Sequence, residues 1–198
     1  MPASQIVLAI LLGLGLAAST GLNTFLPLLL LSAAARFHIA GITLGEKFEW
    51  LTSDAAIIVL IIACVIELIG DKIPAVDHFL DSAGTFIRPL AGAVAAASVL
   101  TGVDPTVAAV VGLIIGAPTS FGFHALKAGT RVASTAATFG CANPIISLVE
   151  DLISLGLSVI SIFVPVLVPF VLAVLVFVLW KLVQRIRATP GAPARSGS

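Results

Sequence analysis

The sequence predicts an all-α, polytopic membrane helix bundle of about five to eight helical segments, some of them broken or re-entrant. Three observations predict it. Of 198 residues, 59% are hydrophobic and 10% charged, with a mean hydropathy of +1.19, whereas soluble domains carry about 25% charged residues. Apolar runs of spanning or near-spanning length recur along the chain, punctuated by Gly, Pro and Asn. The remaining charge is concentrated, above all in Glu67 to Arg88, ELIGDKIPAVDHFLDSAGTFIR. A chain this apolar cannot cover its own surface in water, so a lipid bilayer is its expected environment. The formal net charge is zero, which gives no general pull toward nucleic acid. Cys64 and Cys141 lie in apolar surroundings without metal-ligand spacing and read as small hydrophobes.

Residues 4 to 20 form a first run just long enough to span, with Gly13 and Ala17 as a small-xxx-small pair suited to close packing. Without a basic leader the run reads as a retained helix. Gly21 and Asn23 interrupt it. Phe25 to Phe37 then continues as a short helix with Pro27 near its start, the pattern of a discontinuous segment or a tight hairpin. His38 to Ser53 holds Glu46, Lys47, Glu49 and Trp50 and reads as an external loop.

Asp54 to Gly70 is expected to span, with Asp54 near the cap and Glu67 in the last turn. Asp71 follows at i+4 on the same face as Glu67, then Lys72, and Pro74 ends or kinks the helix. Ala75 to Ile87 is amphipathic, with Asp77, His78 and Asp81 on one side, and reads as an interfacial or re-entrant piece too short to span. Pro89 to Leu100 and Pro105 to Ala117 read as a part-way hairpin or two tilted spans. The first of them carries a small-residue face, Ala91 to Ser98.

Gly116 and Pro118 mark a second expected break. Beyond it, His124, Lys127 and Arg131 at i, i+3 and i+7 make one basic stripe. Asn143 and Pro144 mark a third break, before an apolar run containing Glu150 and Asp151. Phe163 to Leu182 is the final expected span, closed by Trp180, Lys181, Arg185 and Arg187. That basic cluster places the C-terminus in the cytoplasm. Residues 1–187 read as a single transmembrane domain, and 188–198, rich in Pro, Ala, Gly and Ser, as a disordered tail. Both halves, 4–88 and 89–187, show a break, then Thr/Ser-Phe, a short helix, an Arg and a pair of acids. This suggests a duplicated unit of inverted topology.

The stretches GLNTFLPLLLLSAAAR, IELIGDKIPAVDHFLD, IRPLAGA and NPIISLVEDL resemble a bacterial family of small polytopic membrane proteins, domain-of-unknown-function family four-one-two-six. The pattern at Glu67, Asp71, Lys72, Pro74 and Asp77 carries most of the resemblance, supported by Asn143, Pro144, Ser147, Glu150 and Asp151. The resemblance implies a multi-helix inner-membrane protein. It brings no established activity, so function is argued from the residues.

Two cations inside a spanning run are costly unless paired, so Lys127 and Arg131 should meet acids. Glu67 and Asp71, at a helix C-terminus, oppose its dipole and need a basic partner, for which Arg88, Lys127 and Arg131 are candidates. The candidate polar site is therefore Glu67, Asp71, Lys72, His124, Lys127, Arg131, Glu150 and Asp151. It is flanked by the breaks at Gly21/Asn23, Gly116/Pro118 and Asn143/Pro144.

Three functions fit this pattern. The leading one is a small transporter or channel-like protein for a small anionic or lipid-linked solute, with a midplane polar site. There, helix N-termini after the breaks, at Phe25 and Phe121, would aim at an anion. The second is a structural or accessory protein whose charges only fix helix packing. The third is a lipid-phosphate enzyme using Asp77 and Asp81 at the membrane surface, although no catalytic motif supports an enzyme. No metal or cofactor is expected, and a homodimer through the small-residue faces is.

Overall fold

The computed structural model describes residues 2–188. The tail from residue 189, and the side chains at 74, 75, 78, 137, 179, 180, 182, 183 and 185–188, those of His78, Trp180, Arg185 and Arg187 among them, lie outside the described residues. All regular structure among the described residues is helical. The α-helices are α1 (Ala3–Leu22), α2 (Phe25–Arg36), α3 (Asp54–Gly70), α4 (Pro74–Ser98), α5 (Pro105–Val111), α6 (Ala117–Thr138), α7 (Asn143–Phe163) and α8 (Val168–Ala188). Three continuous stretches are long and apolar enough to cross a membrane: Ala3–Leu22, Pro105–Ala136 and Asn143–Phe163. Counting the pair Glu46–Thr52 and Asp54–Gly70, bent by 64°, as one span makes four.

Helix α1 is the axis of the bundle, packed against α4, α6 and α7. Its small residues permit this. A Cβ on Gly13 would lie 2.9 Å from Ala96 Cα, and one on Gly21 would lie 2.3 Å from the Ser120 carbonyl oxygen. The small-residue face of α4 is used inside the chain, where Ala91, Ala93, Ala95, Ala96, Ala97 and Ser98 are all buried.

At Asn23 the chain turns, and α2 runs back along α1. Leu12 and Leu16 share one apolar cluster with Leu28, Leu31 and Ala34. Of the two sequence alternatives, the hairpin is the one formed. Arg36 then reaches Asp54 at 2.7 Å on the exposed surface. The loop between them holds two short 3₁₀ turns, Ile39–Gly41 and Glu46–Thr52. Ser53, not Asp54, caps α3 by accepting a hydrogen bond from the Ala56 N–H at 3.2 Å. Ile58, Val59, Ile62, Val65, Ile66 and Ile69 of α3 are exposed, an apolar face suited to lipid.

Two expected divisions are absent. Ala75–Ile87 is not a separate interfacial piece, and Pro89–Leu100, although it packs against Gly112 and Gly116 beyond the following turn as one arm of a hairpin, is not a helix of its own. Both belong to the single 25-residue α4, which runs through Gly84 and Pro89. The reason is periodicity. Asp77, Asp81, Gly84, Arg88, Ala91 and Ala95 recur at steps of three and four, so one inward stripe continues across the proline.

Nor do Gly116 and Pro118 break the chain. Helix α5 passes through a π-helical turn, Gly112–Gly116, directly into α6. Proline lacks an N–H and its ring collides with the carbonyl four residues back, here Ile114. The wider π turn lies directly before the proline, where it can relieve that clash, and Gly116 lets the turn press on α4, where its Cβ would fall 2.3 Å from the Gly92 carbonyl oxygen. The break from which the second half of the repeat was read is thus not there.

Asp104 caps α5 through the Thr106 and Val107 N–H groups at 2.8 and 3.3 Å, which holds its carboxyl below the ordinary carboxylate range. The third break is real. Phe139 and Gly140 take left-handed backbone (φ 53° and 84°), and α7 starts at Asn143 with Pro144 in its first turn. The final helix begins at Val168, after a 3₁₀ turn over Pro165–Leu167.

Candidate functional site

The α1–α2 turn leaves backbone groups unsatisfied at both helix ends. Charged side chains from α3, α4 and α6 satisfy them. Glu67 of α3 accepts from the Thr24 N–H at 2.8 and 3.0 Å, the Thr24 hydroxyl at 2.8 Å and the Phe25 N–H at 3.2 Å. Its carboxylate therefore caps the positive end of α2. Arg88 of α4 donates to the Gly21 and Leu22 carbonyls at 2.9 and 3.1 Å, and to Glu67 at 3.2 Å. Lys127 of α6 donates to the Leu22 carbonyl at 3.0 Å, so two cations meet the negative end of α1. Asn23 links the turn to α7. Its side-chain carbonyl accepts from the Leu26 N–H at 3.0 Å, and its amide donates to Asp151 at 2.9 Å.

The anion site expected at the α2 N-terminus is thus filled by the chain's own Glu67. The one expected at Phe121 does not form, because Phe121 lies inside a continuous helix.

A second centre adjoins the first. Lys127 donates to Asp71 at 2.7 Å and lies 3.7 Å from Glu150. Arg131 donates to Glu150 at 3.0 Å and to Asp71 at 3.3 Å, contacts Asp77, and lies 3.7 Å from Asp81. Lys72, partly exposed, sits 3.5 Å from Asp151. His124 meets the Thr85 hydroxyl at 3.2 Å. Around these, Thr20 donates to Ser120 at 3.1 Å, Ser120 to the Arg88 carbonyl at 2.7 Å, and Ser154 to the Ser19 carbonyl at 3.0 Å. Lys127, Asp71 and Arg88 have side chains no more than 1% exposed.

All eight sequence-predicted polar residues lie in or beside this cluster, although Lys72 is peripheral. Thr24 escaped the prediction, Asp77 and Asp81 were expected only as a surface pair, and Arg88 only as a candidate partner of Glu67 and Asp71, a role it takes with Glu67; Asp77, Asp81 and Arg88 nonetheless belong to the cluster. The i, i+4, i+7, i+11 spacing of Asp77, Asp81, Gly84 and Arg88 was the available signal for the last three. Asp77 and Asp81 do not form a surface pair. They turn inward to Arg131, and Asp81 also lies 3.7 Å from Arg88. Among the described residues no group of three or more His, Cys, Asp or Glu is arranged to hold a metal ion.

Asp71 follows the last residue of α3, 17 residues on from the exposed Asp54, about 26 Å at helical rise.

Beside the network, a cleft of about 530 Å³ opens between α6 and α7, with Leu175 and Val178 of α8 on its wall. Phe123, Leu126, Ile146, Val149 and Ile153 make it apolar, and Lys127, Thr130 and Glu150 give it one polar end.

A family model described as a domain of unknown function, DUF4126, matches residues 10–185. The chain belongs to that family. No curated protein and no solved structure matches it. The DUF4126 match takes in the α1–α2 turn, every residue of the ion network and the whole lining of the cleft. With several apolar helices of spanning character, this DUF4126 chain is a membrane protein.

Proposed function

We propose that this membrane protein is a small transporter for an amphipathic, lipid-linked solute, held in the cleft between α6 and α7. One observation carries the reading: an apolar cleft of about 530 Å³ ends on Lys127, Thr130 and Glu150. A long apolar wall with a few polar groups at one end suits a molecule with an apolar tail and a single polar head. A free small anion is the weaker substrate, because Lys127 and Arg131 already face carboxylates of the chain. The same pairing supports a second reading, in which the network serves only to fix helix packing.

Gly129 separates the two. It lines the cleft, and a Cβ placed there meets nothing within 4 Å. Gly122 is equally open but lies off the cleft. Gly129→Leu should fill the cleft without disturbing the fold, and Gly122→Leu is its control. Native mass spectrometry of the detergent-purified protein should find a co-purifying lipid-linked species in the wild type and in Gly122→Leu, and lose it in Gly129→Leu. No bound species in the wild type, or equal retention in both variants, would leave the packing role as the better account.

A further inference from the structure

Among the described residues the network does not balance. Its five buried acids are Glu67, Asp71, Asp77, Glu150 and Asp151, against three buried cations, Arg88, Lys127 and Arg131. Adding the partly exposed pair Asp81 and Lys72 leaves the same surplus of two carboxylates. His124 meets the neutral Thr85 hydroxyl at 3.2 Å and makes no ion pair with a carboxylate among the described residues. Two uncompensated charges in a low-dielectric interior are far more costly than the same groups holding a proton.

One of the two surplus charges can be located. Glu67 is surrounded by donors from Thr24, Phe25 and Arg88, the surroundings of an ionised carboxylate. Asp151 accepts from Asn23 and faces Lys72. Asp71 and Glu150 differ, because they share the same two cations. Lys127 and Arg131 each lie within 4 Å of both, and Arg131 also serves Asp77 and Asp81.

An independent observation falls on this pair. Asp71 is 2% exposed, and its Oδ1 has no hydrogen-bond partner among the described residues. A bare buried carboxylate oxygen marks the pair as short of donors for two full charges. On the other side, the Thr130 hydroxyl gives its hydrogen to the Lys127 carbonyl at 2.7 Å, leaving its oxygen 3.5 Å from Glu150 Oε1. A hydroxyl has one hydrogen to give, so that oxygen is free to accept one from a protonated Glu150.

We propose that Asp71 and Glu150 form an exchangeable proton-binding site, with the proton resting on Glu150 at neutral pH. Carboxylates this close titrate as a unit, so the bound proton belongs to the pair. Glu150 also lines the α6–α7 cleft, which gives the proton a route out of the network. The site stands on charge and geometry, whether or not the cleft takes a lipid-linked solute.

Infrared spectroscopy of the full chain in lipid nanodiscs tests it. The wild type at neutral pH should show a carboxylic-acid C=O band that shifts in heavy water and disappears on alkaline titration. Glu150→Gln should remove the band while leaving the melting temperature unchanged, since Gln is close in shape to the protonated acid. Asp71→Asn should shift the band by perturbing its neighbour. The absence of any such band in the wild type overturns the proposal. So does a band unchanged in both variants. Stability that depends on sodium instead of protons would assign the surplus to a metal cation, and also overturns it.

Discussion

Glu67 joins two helices by one carboxylate. It caps α2, pairs with Arg88, and through Arg88 is tied to the last carbonyls of α1. Removing one partner of a buried pair leaves the other charge stranded, at about 3–5 kcal/mol. Glu67→Ala should therefore lower stability by about that amount in denaturant unfolding of detergent-solubilised protein. Arg36→Ala, which breaks an exposed pair with Asp54, should cost at most about 1 kcal/mol. Equal losses from the two substitutions would refute an anchoring role for Glu67. The acid and base stripes were readable in sequence because Glu67/Asp71 and His124/Lys127/Arg131 fall at helical spacing. Glu67's need for a positive partner was readable too, since it ends its own helix unfavourably. That half of the partner would be the N-terminus of α2 was not, because that contact spans 43 positions and depends on α2 folding back.

At the scale of elements, periodicity outranked the usual breakers. Pro89 and Gly84 sit inside α4, and Gly116 and Pro118 inside the α5–α6 rod. Local preference favours a stop at each, yet each helix presents an unbroken stripe to its neighbours. A sequence reading that weighs breakers before stripes divides these helices wrongly, as here. At Asn143, where the stripe also lapses, the break was foreseen. The glycines are the counterpart of this close packing. A Cβ on Gly92 would lie 2.5 Å from Ser120 Cβ and 2.8 Å from the Gly116 carbonyl oxygen. Gly92→Ala should destabilise by about 1–3 kcal/mol through overpacking. Gly122→Ala, with open space around it, should stabilise by up to about 1 kcal/mol through helix propensity alone. Thermal melts of the two variants check both signs, and a stabilising Gly92→Ala would contradict the close α4–α6 contact.

The whole molecule has two unlike ends. At one lie Arg36 and Lys47, offset by Glu46, Glu49, Asp54 and Asp104. Toward the other lie the ion network, Lys72, the α6–α7 turn with Cys141, and the end of α8 with Lys181, Arg185 and Arg187. The α6–α7 turn and the end of α8 share a side, since Ala142 and Val178 line the same cleft. Lys and Arg predominate there, so the positive-inside rule predicts that end, and the network near it, on the cytoplasmic side. The consequence is testable with the native thiols, because Cys141 is exposed and Cys64 buried. A membrane-impermeant maleimide applied to intact cells should leave Cys141 unlabelled and label it only after lysis. Cys64 should stay unlabelled in both conditions. In a Cys141→Ser background, Glu46→Cys should be labelled in intact cells, because Glu46 is exposed at the opposite end. Labelling of Cys141 in intact cells would invert the orientation. It would then place the proposed proton site at the outer face, where an outward proton pool, and not the cytoplasm, would load it.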